Sequence, residues 1–179
     1  SGGTFSSGNY TITYADGALT ISPAALTVTA NNASKNYGQT VSFAGTEFTS
    51  SGLQNGETIG SVTLASTGAA ATANVAGSPY AITATAAARR AGTAGNYTIT
   101  YQPYSAGNAY QAGVFGGALS ITAAPLTITA SNASKTYGDT KTFAGTEFTP
   151  TGLQNGETVG SVTLTSGGVV ATAGVAGSP

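Results

Sequence analysis

An all-β chain of tandem β-sandwiches is the fold class this sequence predicts, on three observations. Apolar residues recur with a period of two in short stretches, and no segment carries the 3.6-residue period of an amphipathic helix. Turn signals fall between these stretches about every 8 to 12 residues, the spacing of sandwich strands. The stretch from Ala33 to Leu64, ASKNYGQTVSFAGTEFTSSGLQNGETIGSVTL, returns from Ala133 to Leu164 after a shift of one hundred positions. Laying 24–79 over 124–179 gives 56 pairs, of which 15 differ and 41 are identical. Shared composition does not produce such agreement, so the chain is a tandem repeat. The period divides it into 1–22, the closing hairpin of one repeat; 23–122, a complete repeat; and 123–179, the first part of the next. The two incomplete ends are expected either to lie inside a longer filament or to pair between molecules.

Taken in order, NYTITYADGALTI from Asn9 to Ile21 places Tyr10, Ile12 and Tyr14 on one face and resumes with Leu19 and Ile21 after Asp16-Gly17. It reads as a tight β-hairpin. Its counterpart begins at Asn96 as NYTITY and closes at Gly117 to Ile121 as GALSI, offset by 87 in the first half and 100 in the second, so 13 residues are added in the turn. Four residues, Ser22 to Ala25 in one copy and Thr122 to Pro125 in the other, lead into LTVTA and LTITA. A link so short, stiffened by one proline, predicts a semi-rigid joint and a rod of domains.

Within the repeat, SKNYG from Ser34 to Gly38 is a corner, and Phe43 and Phe48 mark further apolar segments. Asn55-Gly56 in GLQNGET predicts a tight turn with positive φ. Val62 and Leu64 in IGSVTL point inward, as do Tyr80, Ile82 and Ala84 in SPYAITATA, and a loop follows from Arg89 to Gly95. Between copies, Val28 becomes Ile128 and Ile59 becomes Val159, changes that buried positions tolerate. Val41 becomes Lys141, so that position must reach water.

Five basic and six acidic residues give a net charge of -1, and Arg89-Arg90 is the only basic pair, which leaves nucleic acid no surface to hold. With no Cys, Met, His or Trp, thiolate and imidazole catalysis, zinc and copper sites and disulfides are excluded by inventory, so neither an enzyme nor a cofactor is expected. No apolar run approaches the roughly 20 residues of a membrane span. A cysteine-free chain fits export by a bacterium without oxidative staples, although a cytosolic chain without cysteine looks the same; it opens in mid-repeat, which leaves room for a targeting segment outside it.

Three constellations carry candidate chemistry. Tyr104, Tyr110 and Phe115, among the Gly, Ser and Asn of 102–116, have the rings and amides of a glycan-binding loop. The reading preferred for the same residues is a contact with a neighbouring repeat or with another molecule in a fibre. Lys35, with Glu47 or Glu57 and Asn55, has the residue types of a Lys–Asn isopeptide crosslink, which needs a buried amine of lowered pKa beside a protonated carboxyl. Asp16 and Asp139 lack companions at calcium-loop spacing, so no metal is expected.

ASKNYGQT and ASKTYGDT, GLQNGETIGSVTL and GLQNGETVGSVTL, SPYAITATA, and GNYTITY followed by GALTISPAALTVTA together resemble the MBG repeat, a bacterial immunoglobulin-like module found in tandem in large secreted and surface adhesins. The resemblance implies immunoglobulin-like sandwiches at the cell surface or outside the cell, acting as a non-catalytic stalk whose partners are neighbouring repeats. The alternative function is a glycan- or host-ligand-binding module using 102–116. The 13 added residues depart from the family's short turn.

Overall fold

A computed structural model of the chain describes residues 3–89, 94–103 and 116–176. Its described residues form strands and single 3-10 turns, with no α-helix among them. The chain is all-β. Ten strands follow in order: β1 (Ala24–Ala30), β2 (Ala33–Asn36), β3 (Phe48–Ser51), β4 (Ile59–Ala65), β5 (Tyr80–Ala81), β6 (Thr83–Arg89), β7 (Tyr97–Tyr101), β8 (Ala118–Thr122), β9 (Thr127–Ala130) and β10 (Phe148–Thr151).

Strand β1 shows why the pattern folds as it does. Its alternate residues Leu26, Val28 and Ala30 are buried, while the threonines between them face outward and suit the pleated backbone. It lies between β3, antiparallel, and β7, parallel. A second sheet has the order β2-β8-β5, and β4 pairs with β6. One core draws on all three sheets: Val28 and Ala30 from the first, Leu119 from the second, Val62 and Ala84 from the third, with Ile82 between β5 and β6.

The closing hairpin expected at Asn96–Ile121 does not form. Strand β7 runs parallel to β1 from Ala24↔Tyr97 to Val28↔Tyr101, and β8 runs parallel to β2 from Ala33↔Leu119 to Asn36↔Thr122. The offsets, 73 and 86, differ by 13, the length of the added segment. The amide of Gly116 donates to the carbonyl of Pro103 at 3.0 Å, so the ends of that segment meet. The chain therefore keeps its direction and changes sheet beside Asn31 and Asn32, where β1 passes into β2. Asn32 Oδ1 holds the crossing by accepting from the Ala118 amide at 2.9 Å. Two apolar alternations joined by a glycine-bearing segment look the same in sequence whether the chain reverses or runs on into another sheet.

Residues 10–21, read as a hairpin for the same reason, form no strand. They correspond to β7 and β8, and β7 pairs with a strand that starts 73 residues before it. Tyr14, Leu19 and Ile21 are 87%, 89% and 86% exposed.

Residues 124–176 copy the first repeat locally. Strands β9 and β10 pair as β1 and β3 do, and the amide of Val162 donates to Gly145 at 2.9 Å as Val62 does to Gly45 at 2.8 Å. Their inner face is bare: Leu126 is 48% exposed where Leu26 is 1%.

Candidate functional site

The site with the most specific geometry is the junction between the repeats. The corner after β2 is fixed to its own repeat, the Tyr37 amide donating to Thr122 at 2.9 Å and the Gly38 amide to Ala71 at 3.2 Å. Since Thr122 ends β8, the corner lies where the chain leaves the repeat. Gly38 has a φ of +88°, and a Cβ there would fall 2.3 Å from Oε1 of Gln154. Only glycine satisfies both the left-handed backbone and the close approach.

From the other side comes the turn 152–158. Asn155 and Gly156 adopt φ values of 51° and 74°, as the Asn-Gly signal predicts. The turn projects two polar groups onto the corner. Tyr37 Oη donates to Glu157 Oε1 at 2.5 Å, and Asn155 Nδ2 donates to the Ala71 carbonyl at 3.3 Å. The bond to Glu157 raises the Tyr37 phenol above its ordinary 10.0, so it remains a donor throughout the neutral range.

Each repeat carries both halves of this joint. Tyr137 is 65% exposed and Gly138 has open space around it. At the opposite end, Glu57 Oε2 is shielded without a hydrogen-bond partner among the described residues. The two sides of the contact differ in kind, a phenol donor on one and a carboxylate acceptor on the other. Sequence reading missed this contact. The available signal is that Tyr37, Gly38, Gln54 and Glu57 are unchanged in the second copy, while Asn36 and Gln39 beside them become Thr136 and Asp139.

The isopeptide candidates are placed as follows. Lys35 is only 6% exposed, and its Nζ donates to the carbonyls of Gln39, at 2.9 Å, and Ala70. Burial lowers its pKa. Asn55 lies in its tight turn with a φ of 54°. Glu47 accepts from the amides of Ala44, Gly45 and Thr46 at 2.9, 2.9 and 3.0 Å, and Glu147 repeats the cage at 3.0, 3.0 and 3.1 Å. Both carboxylates are turn braces.

The amide of Ala44 leads the amides that lower the Glu47 pKa, and that of Ala144 does so for Glu147. A lowered folded pKa gives stability that is full above the ordinary 4.5 and is lost as pH falls through the folded value. The chain with Glu47→Gln and Glu147→Gln should therefore melt at a lower temperature than the unaltered chain at pH 7, and the gap should close on acidification. A calorimetric pH series in which the gap widened toward low pH would reverse that sign.

Tyr104, Tyr110 and Phe115 lie outside the described residues, as does Arg90. Among the described residues no group of three or more His, Cys, Asp or Glu is placed to hold a metal ion, and no helix is long and apolar enough to cross a membrane. In comparison with known proteins, residues 26–105 match the family model of the MBG domain (YGX type). The Tyr37-Gly38 corner lies inside the matched stretch. The comparisons with curated proteins and with solved structures give no match.

Proposed function

Starting from an MBG domain at residues 26–105, we propose that the chain is a non-catalytic spacer of a bacterial surface or secreted adhesin-like protein. Its units are tandem immunoglobulin-like sandwiches, with 23–122 as the complete one and 123–179 as the beginning of the next. Three sheets closing on one core support the sandwich reading. The observation that carries the mechanical reading is the Tyr37–Glu157 junction, because it fixes the angle between successive units by contacts beyond the covalent link. The short link from Ala123 to Pro125 adds to the stiffness. A location outside the cell is supported by the family match, and a cysteine-free chain is compatible with it.

Residual dipolar couplings test the joint directly. Both units should share one alignment tensor in the unaltered chain, and should separate into two when Tyr37→Phe is combined with Glu157→Gln. Because these are surface positions, the stability of each unit should change by no more than about 0.5 kcal/mol. Two independent tensors in the unaltered chain would leave the spacer without its stiffness.

A further inference from the structure

The Asn-Gly pair at the joint carries a reactivity that its own contacts oppose. A glycine that follows asparagine has no Cβ beside its backbone nitrogen, so that nitrogen can reach the side-chain carbonyl carbon of the asparagine. Asn155-Gly156 and Asn55-Gly56 both lie in exposed turns, within the identical stretch GLQNGET, with φ values of 51° and 74° and of 54° and 71°. A Cβ at either glycine would meet no heavy atom within 4 Å, so water reaches both turns. They differ in what holds them. Asn155 Nδ2 donates to the Ala71 carbonyl at 3.3 Å, and its side chain lies within hydrogen-bonding reach of the Tyr37 phenol. The first turn is braced inside its own repeat, where the Gln54 amide donates to Tyr97 Oη at 2.8 Å. We propose that Asn155 is a site of spontaneous deamidation which the closed joint suppresses, and that reaction after opening locks the joint open. The proposal rests on the reading of the Tyr37–Glu157 contact as the joint that sets the angle between units.

The step balances with water as the only co-reactant. The Gly156 nitrogen bonds to Asn155 Cγ, the Cγ–Nδ2 bond breaks, and Nδ2 leaves as ammonia with the proton that the Gly156 nitrogen gives up. Water then opens the cyclic imide at either carbonyl carbon, its hydroxyl going to carbon and its proton back to nitrogen, which leaves aspartate or isoaspartate. For the ring to close, the carboxamide must turn away from Ala71 toward its own backbone. The leaving atom is the one that bridges the repeats, so a closed joint and the reaction exclude each other.

The product cannot resume the contact. Aspartate offers only acceptor oxygens where Ala71 also presents a carbonyl oxygen, and it adds a negative charge two residues from Glu157. Isoaspartate also lengthens the backbone of the turn that holds Glu157 against Tyr37. An opening that would otherwise reverse thereby becomes permanent.

Peptide mapping by mass spectrometry during incubation at neutral pH follows both asparagines in one sample, with Asn55 as the internal standard. Tyr37→Asp sets a carboxylate against Glu157, opens the joint from the other repeat and leaves the sequence around Asn155 untouched. It should raise the Asn155 rate relative to the Asn55 rate by about three- to tenfold, the factor expected when solvent-facing hydrogen bonds cease to hold the reacting group. Asn155→Asp installs the product directly. Dipolar couplings of that variant should need two alignment tensors where the unaltered chain needs one, and Asn55→Asp should still need one. A rate ratio unmoved by Tyr37→Asp, or a single tensor for Asn155→Asp, would overturn the inference and leave the joint standing. Two tensors in the unaltered chain would overturn the joint and this inference with it, so the two failures are told apart.

Discussion

Replacing Leu26 by alanine should lower the unfolding free energy of the first repeat by about 3 to 4 kcal/mol, while the same change at Leu126 should cost about 1 kcal/mol. The two leucines hold equivalent positions in nearly identical sequence, so composition and local propensity cancel. They differ in what covers them. Leu26 is 1% exposed beside Ile99 of β7, and deletion there leaves a cavity lined by groups that cannot all move in. Leu126 is 48% exposed, and water fills the space at little cost. Urea unfolding of each variant measures the difference. Equal losses would mean that the second repeat is covered as fully as the first.

Gly152→Ala should be the most damaging single change at the junction. Gly152 has a φ of +101°, and a Cβ there would lie 2.2 Å from the carbonyl oxygen of Pro125. Backbone strain of about 1 to 3 kcal/mol adds to steric displacement of similar size, for a loss of about 2 to 5 kcal/mol in the second unit. The obstructing atom belongs to the link between repeats, so relief must move the link or the turn that carries Asn155 and Glu157. Gly52→Ala meets the same obstruction, 2.2 Å from Ala25, and should cost its own repeat as much while leaving the interdomain angle unchanged. Dipolar couplings on both variants separate the effects. An altered angle with Gly52→Ala, or an unaltered one with Gly152→Ala, would remove the link between this glycine and the joint.

Elements governed by neighbouring residues were legible in the sequence. The alternation of Leu26, Val28 and Ala30 gave β1 and its buried face, Asn55-Gly56 gave the tight turn, and the hundred-residue shift gave the repeat. What escaped depends on partners distant in the chain. Tyr97 to Tyr101 alternates equally well beside β1 or beside Ala118 to Thr122, so periodicity cannot tell a hairpin from a parallel strand 73 residues away. The Tyr37–Glu157 bond spans 120 positions and joins two residue types common on surfaces. Lys35 is a candidate buried amine by residue type alone, and no local signal reveals that the carbonyls of Gln39 and Ala70 satisfy it beneath the surface.

The bond between Gly116 and Pro103 has a consequence for chain length. Because the chain re-enters the ladder where it left it, the registers of β7 on β1 and of β8 on β2 do not depend on how many residues lie between them. Loop closure grows only slowly more costly with size, by about 0.6 kcal/mol for each doubling, so insertion length and strand pairing are decoupled at this point.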